Sequence, residues 1–127
     1  MKKVLTVLAT AVFAATACAG EYPDTSVSEL KAAIEAKKVT VIDVNGSKAY
    51  QKGHIPGAID FAATKDLAKA LPSDKDAQIV AYCGGPTCNA YTKAADAAKK
   101  LGYTNVKHLS AGISGWKAAG APLEKAE

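Results

Sequence analysis

Short apolar strands that alternate with helical segments constrain the fold of this chain most. VTVIDV at 39–44 and QIVAY at 78–82 are apolar and too little alternating for half-exposed strands, so we expect them to be buried in a parallel sheet. A capping box, Ser26-Val27-Ser28-Glu29, opens a helical pattern that extends to about Lys37, and the alanine- and lysine-rich stretch 89–101 predicts a second long helix. This order predicts one domain with helices on both faces of the sheet.

Shorter elements continue the alternation. The sequence predicts further strands over 58–61 and 104–109, and short helices over 47–51, 65–71 and from Ala111 onward. Gly102 stands where a glycine commonly ends a helix.

The first 19 residues differ in composition from the rest. Lys2 and Lys3 precede an apolar run to Phe13 and then small residues, which is the succession of an export signal. Two processing routes fit: cleavage after small residues at alternating positions, or a loose lipobox in which Cys18 is lipidated. We expect a signal segment at 1–19, a domain at 24–125 and a periplasmic location, with a lipid anchor if the second route is used.

The charge balance argues against nucleic acid as a partner. The net charge is +4, and it falls to +2 once Lys2 and Lys3 are removed. All 16 basic residues are lysines, so no bidentate guanidinium exists in the chain. We expect contact with a membrane only through a lipid at Cys18.

A pair of cysteines marks the loop after the 78–82 strand. Cys83 ends the apolar run, Gly-Gly-Pro follows it, and Cys88 stands five positions on. In an open α/β sheet, reactive groups gather at the carboxyl ends of strands, and the helix predicted from Asn89 turns its positive end toward that edge. We expect the two glycines to take positive φ, so that successive amides turn inward and stabilise an anion. Cysteines at helix N-termini have a lowered pKa, so the sequence predicts a nucleophilic thiolate at Cys83.

Three segments resemble the successive signatures of rhodanese-like sulfurtransferase domains. They are VIDVNGSKAYQKGHIPGAIDF, IVAYCGGPTCNA and LGYTNVKHLSAGISGWKAAGAPLE, and the resemblance covers the chain from about Val27 to Leu123. It implies an α/β, three-layer domain with a five-stranded parallel sheet flanked by helices. It also implies transfer of a sulfane sulfur from a donor, thiosulfate or polysulfide, to a thiophilic acceptor through a persulfide, with no metal and no organic cofactor.

Carried onto this sequence, the resemblance makes Cys83 the catalytic nucleophile and persulfide carrier. The amides of the substrate-binding loop would then cradle the terminal sulfur, and that loop consists of Gly84, Gly85, Pro86, Thr87, Cys88 and Asn89. The implied partner is a small sulfur-containing anion or a protein persulfide, and we expect a monomer.

Three positions depart from the family pattern. Asn45 replaces the usual arginine after the first strand, Gly84 replaces a residue that is often basic, and Cys88 replaces an arginine of the loop. A loop without basic side chains is a poorer site for doubly charged thiosulfate, which leaves the donor open. Three lysines are candidates for leaning toward the loop: Lys48, Lys52 and Lys93.

Cys88 allows two interpretations. It is either a small residue at the start of a helix or a redox partner that attacks a Cys83 persulfide, releases sulfide and forms a disulfide. The second interpretation requires the two Cα atoms to lie within about 7 Å of each other. It supports an alternative function, a non-enzymatic sulfur carrier or a thiol redox-sensing module that uses both cysteines.

The remaining candidates have simpler interpretations. We expect His54 and His108 to be structural, Asp43 to accept hydrogen bonds at the end of its strand, and Trp116 to anchor the last helix. The cysteines and histidines match no compact zinc spacing, so no metal site is predicted. A phosphatase built on a cysteine loop needs an arginine to grip the phosphoryl group, and the absence of arginine excludes it.

Overall fold

The computed structural model describes residues 22–126. The predicted signal segment at 1–19 and the predicted lipidation site at Cys18 lie outside these residues. Within the described residues, no helix combines the length and the apolar character that crossing a membrane requires.

Helices and strands alternate along the chain, as the sequence predicts. The strands are β1 (Thr40–Asp43), β2 (Ile59–Asp60), β3 (Ile79–Tyr82) and β4 (Val106–His108). The helices are α1 (Val27–Glu35), α2 (Ser47–Lys52), α3 (Leu67–Ala70), α4 (Tyr91–Lys100) and α5 (Gly112–Ala118), and a 3-10 turn covers Phe61–Ala63.

The sheet is parallel, with the strand order β2-β1-β3-β4. It therefore has four strands within the described residues, where the family resemblance implied five. A single bridge joins Asp24 to His108 at the outer edge of β4, in the parallel direction of a fifth strand. The His108 amide donates to the Pro23 carbonyl and the Thr25 amide donates to the His108 carbonyl, each at 2.8 Å, and the pairing ends there because Ser26 already caps α1.

The sheet is the middle of three layers. Ile79 and Ala81 of β3 enter the hydrophobic cluster on one face, where the buried alanines of α4 pack. Val80 and Tyr82 enter the cluster on the other face. That second cluster also contains Leu30 of α1, Ile55, Leu109 and Trp116 of α5. All four residues of β3 are buried, which explains why its sequence shows no alternation.

The predicted signals at the helix ends are confirmed. The Glu29 amide donates to the Ser26 hydroxyl at 3.1 Å, and the Glu29 carboxylate accepts from the Ser26 amide at 3.4 Å. Gly102 follows α4 with a φ of 99°. The start of α4 differs from the prediction: it begins at Tyr91 rather than Asn89, so the cysteine loop is two residues longer.

Trp116 anchors the last helix and the segment after it. The indole is 1 % exposed, and its Nε1 donates to the Pro122 carbonyl at 2.6 Å. The chain then pairs with the middle of the domain, since His54 and Glu124 exchange two backbone hydrogen bonds of 2.9 Å. The predicted role of Trp116 is confirmed.

Candidate active site

Cys83 lies at the carboxyl edge of the sheet, directly after β3, which is one of the two inner strands. Its side chain is only 1 % exposed and belongs to the cluster that packs under α4. It is disulfide-bonded to Cys88, and the two Cα atoms are 6.3 Å apart. The sequence left open whether these sulfurs meet, and the structure brings them together.

Helix α5 holds the base of this loop. The Ile113 amide donates to the Cys83 carbonyl at 2.9 Å, and the Ser114 amide donates to the Gly84 carbonyl at 3.0 Å. These first amides of α5 have no partner within their own helix, so the loop carbonyls satisfy them. The loop is thereby attached to α5 by two main-chain hydrogen bonds.

Gly112 allows this close approach, and the sequence analysis did not identify it as a site residue. It has a φ of 62°, and a Cβ added there would lie 2.6 Å from the carbonyl carbon of Gly84 and from the Gly85 amide nitrogen. Any side chain would therefore push the loop away from α5. The signal in the sequence is a glycine one residue inside the start of a helix, where glycine is unfavourable.

The predicted conformation of the loop glycines is wrong. Neither Gly84 nor Gly85 has a φ in the left-handed region, and an added Cβ at either position would make only ordinary contacts. The chain reverses direction instead through a turn in which the Cys88 amide donates to the Gly85 carbonyl at 3.1 Å. Pro86, with its fixed φ, stands directly after Gly85 in this turn.

Several amides of the loop have no protein acceptor. Within residues 22–126, no hydrogen bond is donated by the backbone amides of Gly84, Gly85, Thr87 and Asn89. The loop is followed by the N-terminus of α4, where Ala90 provides no side-chain cap. Amides of this kind are available to an anion, and the helix dipole adds to their attraction.

A buried network joins the ends of β1 and β3 beside the loop. Asp43 is 1 % exposed, and its carboxylate accepts from the Tyr82 hydroxyl at 2.5 Å and from the Asn45 amide at 2.7 Å. The Tyr82 hydroxyl in turn accepts from the Ile55 amide at 3.1 Å. Burial raises the pKa of the Asp43 carboxyl despite the hydrogen bonds that lower it, and burial together with Asp43 raises the pKa of Tyr82. The prediction that Asp43 organises its strand end is confirmed.

Both histidines pack against tyrosines. The buried His54 stacks on Tyr50 with the ring centroids 3.7 Å apart, and its Nδ1 lies 2.7 Å from the Tyr50 carbonyl oxygen. His108 stacks on Tyr91, the first residue of α4, with the centroids 3.4 Å apart. Burial lowers the pKa of His108, and its Nε2 has no hydrogen-bond partner within 22–126. These contacts support a structural role for each imidazole.

The lysines that were candidates for the loop are exposed. Within the described part of the chain, no ion pair or hydrogen bond joins Lys48, Lys52 or Lys93 to the loop. In the same residues, no three histidine, cysteine or acidic side chains come together as metal ligands.

Two surface clefts lie away from the cysteines. One of about 440 Å³ is lined by Tyr22, Lys99, Tyr103 and their neighbours, and one of about 460 Å³ is lined by residues of α1 and the segment after α5. Neither contains a residue of the Cys83 loop. We therefore assign the candidate site from the reactive group and the main chain around it rather than from the shape of the surface.

Comparisons with known proteins agree with this fold. The family described as Rhodanese-like domain matches residues 26–119. The chain is 30% identical over 99 residues to the thiosulfate sulfurtransferase GlpE of Shewanella oneidensis, covering 76% of this chain and 93% of that protein.

A second relative is much longer than this chain. The HTH-type transcriptional regulator Rv0324 of Mycobacterium tuberculosis is 40% identical over 100 residues, which cover 77% of this chain. The match spans only 43% of the regulator, so less than half of that protein is represented here. The similarity therefore concerns one domain that the two proteins share, and not the whole regulator.

A solved structure agrees in fold. The crystal structure of the BH2092 protein from Bacillus halodurans superimposes with a TM-score of 0.70 at 34% identity, over 82% of this chain and 77% of that one. The family match covers most of the described residues, and it includes both cysteines of the loop as well as Gly112. The chain belongs to the rhodanese-like domain family.

Proposed function

We propose that this protein is a sulfurtransferase in which reduced Cys83 takes a sulfane sulfur from thiosulfate or polysulfide and passes it to a thiophilic acceptor. The observation that carries the proposal is the position of Cys83, at the end of the inner strand β3 and at the start of a loop in which several amides lack acceptors within the described residues. The similarity to a thiosulfate sulfurtransferase supports the same chemistry.

The loading step needs a thiolate and a leaving group. The Cys83 thiolate attacks the sulfane sulfur of thiosulfate, the sulfur–sulfur bond breaks, and sulfite leaves with the electron pair. The product is a persulfide whose terminal sulfur is negatively charged. The loop amides that have no acceptor among residues 22–126, together with the N-terminus of α4, stabilise that charge, so the site requires no cationic side chain.

The missing arginines favour donors that do not need a guanidinium grip. Thiosulfate carries two negative charges, and the loop offers amides but no charged side chain. A persulfide on a protein presents the same sulfane sulfur with a single negative charge, and a polysulfide separates its charges along a longer sulfur chain. We therefore expect polysulfide to be used more efficiently than thiosulfate.

Steady-state kinetics test the proposal. The reduced protein is supplied with thiosulfate or polysulfide and with cyanide as acceptor, and thiocyanate is measured. We expect multiple turnovers in Cys88→Ser, whose Cys83 persulfide has cyanide as its acceptor, and none in Cys83→Ser. Absence of thiocyanate with both donors, together with absence of a sulfur adduct on Cys83, would refute the function.

The disulfide favours a second candidate function. Cys83 and Cys88 form a disulfide in the structure, and in that state Cys83 has no free thiolate that could accept a sulfane sulfur. We propose as the alternative a sulfur carrier or thiol redox sensor that signals to a protein partner, and the match to part of a transcriptional regulator supports it. Loading of Cys83 without repeated turnover would favour this alternative over the enzyme.

We also propose that the protein is exported to the periplasm. The support is the lysine start, the apolar run and the small residues within 1–19. Fractionation of the producing cells tests the location, and intact mass of the recovered protein distinguishes simple cleavage from lipidation at Cys18. Recovery of the uncleaved chain from the cytoplasm would contradict the proposal.

A further inference from the structure

We propose that Cys88 is a resolving thiol, which makes this protein a sulfane-sulfur reductase that releases sulfide and is regenerated by an external dithiol. This inference rests on the proposed sulfur loading of Cys83. It assigns to the same loop a second activity, in which the acceptor of the first half-reaction is a residue of the chain itself.

The first support is the distance between the two cysteines. Their Cα atoms are 6.3 Å apart, inside the range of native disulfides, and their sulfurs are bonded. The loop thus already has a conformation in which Cys88 can reach the Cys83 sulfur. That sulfur is the inner atom of a Cys83 persulfide.

The second support is the way the loop is fixed. The carbonyls of Cys83 and Gly84 accept hydrogen bonds from α5, and the Cys88 amide closes a turn onto Gly85. Main-chain contacts therefore hold both ends of the short segment that separates the thiols. A nucleophile that is held in this way reacts at a high effective concentration, whereas a free thiol must first find the site.

The third support is the difference in exposure. In the disulfide-bonded loop Cys83 is 1 % exposed, so an external thiol has less access to its sulfur than to that of Cys88. Cys88 is only partly buried. It can attack the inner sulfur from within the loop, and afterwards it offers an external thiolate the more accessible half of the disulfide.

The resolving step balances as follows. Cys88 loses its proton, its sulfur forms a bond to the inner sulfur of the Cys83 persulfide, and the bond to the terminal sulfur breaks. The terminal sulfur leaves with the electron pair, takes the proton and departs as hydrosulfide. The sulfane sulfur has been reduced by two electrons, and the two thiols have been oxidised to the disulfide.

Regeneration requires a reductant, and an external dithiol supplies it. One thiolate of the dithiol attacks the Cys88 sulfur, and the Cys83 thiolate leaves. The second thiol of the reductant then releases Cys88 and becomes part of the reductant's own disulfide. The loop amides that have no acceptor in the described residues stabilise the departing Cys83 thiolate.

A single-turnover experiment without external thiol tests the inference. The full chain carries Cys18→Ser, so that Cys83 and Cys88 are its only thiols. Reduced protein is freed of reductant and given one equivalent of thiosulfate. Sulfite, sulfide, free thiols and intact mass are then measured.

The resolving role predicts one sulfite and one sulfide per protein, with loss of both thiols and of two hydrogens in mass. When the same chain carries both Cys18→Ser and Cys88→Ser, we expect one sulfite, no sulfide, and a stable gain of one sulfur atom. Wild-type chain that retains Cys18 is the matched control and should release sulfide to the same extent.

Two outcomes separate this inference from the function on which it rests. If the Cys18→Ser protein keeps the added sulfur and a free Cys88 thiol without releasing sulfide, the resolving role is overturned and sulfur loading stands. If the Cys88→Ser variant yields no sulfite and gains no sulfur with either thiosulfate or polysulfide, the loading step itself fails, and the inference fails with it.

Discussion

At the scale of single residues, Gly112 shows how one missing side chain shapes the candidate site. Its left-handed backbone and its contact with the Gly84–Gly85 peptide allow α5 to donate two hydrogen bonds to the loop. Gly112 has no side chain that could suggest this role, so a search of the sequence for reactive groups overlooks it. Close approach of two backbones becomes visible only in three dimensions.

Gly112→Ala is expected to impair sulfur transfer strongly. The left-handed conformation costs a non-glycine residue about 1 to 2 kcal/mol, and the new Cβ also collides with the loop backbone. The control is Gly120→Ala, because Gly120 has a φ of 72° with nothing within 4 Å of an added Cβ. Urea unfolding and thiocyanate formation are measured on both variants. Equal activity in the two would show that the contact with the loop does not matter.

Asp43→Asn is expected to lower the unfolding free energy by about 1 to 3 kcal/mol at neutral pH. The asparagine side chain has a single accepting oxygen, so either the Tyr82 hydroxyl or the Asn45 amide loses its acceptor. Burial raises the pKa of Asp43 above its usual value of 3.8, so the folded state binds the proton more tightly than the unfolded state. The stability that protonation adds is complete below pH 3.8 and is lost as the pH rises through the folded value.

The pH dependence provides the check on Asp43. The difference in unfolding free energy between wild type and Asp43→Asn should widen as the pH falls from neutral toward 3.8, because only wild type gains from protonation. Urea titrations at several pH values measure it. A difference that stays constant over this range would show that Asp43 ionises in the folded state as it does in the unfolded chain.

At the scale of secondary-structure elements, the sequence predicts the order and type of the α-helices and strands between 26 and 119, since the capping box, the β-branched runs and Gly102 are local signals, but it does not predict the 3-10 turn at Phe61–Ala63. The ends of elements depend on tertiary contacts and were predicted less well. The helix after the cysteines begins at Tyr91, whose ring stacks on His108 of β4. A partner that is 17 positions away in the chain leaves no trace in the local pattern.

Ser26→Ala tests the local signal at α1. Loss of the cap should lower the unfolding free energy by about 1 kcal/mol, because the Glu29 amide loses its acceptor. Ser28→Ala is the control from the same helix, since its exposed hydroxyl contacts only the Ser26 hydroxyl at 3.2 Å. We expect that control to change stability by less than about 0.5 kcal/mol. Equal losses would refute the assignment of Ser26 as the cap.

At the scale of the whole molecule, the two hydrophobic clusters hold the sheet between its helices, and the cysteine loop lies at one edge of that frame. The fold class can be predicted from the sequence, because the short apolar runs indicate buried strands. The alternation of these runs with helical segments indicates helices on both faces of the sheet. The disulfide did not follow from it. Its formation depends on the turn at Gly85 and on the attachment of the loop to α5, which are contacts between segments.

Reduction of the disulfide should leave the fold intact. The closed loop is short, so the cross-link contributes only about 2 kcal/mol by loop entropy, while both clusters remain in place. Urea unfolding with and without a dithiol measures the change, and Cys88→Ser serves as the control that should not respond to the dithiol. Unfolding of the reduced wild-type protein in the absence of urea would contradict this view of its stability.

The central claim is that Cys83 accepts the sulfur, and peptide mass mapping tests it most directly. The reduced Cys18→Ser, Cys88→Ser chain, which keeps Cys83 as its one thiol, is given one equivalent of thiosulfate or polysulfide and digested without reductant. The account predicts one added sulfur atom on the peptide that contains Cys83, and none on any peptide of the matched Cys18→Ser, Cys83→Ser chain. An unmodified Cys83 peptide with both donors, or equal modification of Cys88 in the matched chain, would contradict it.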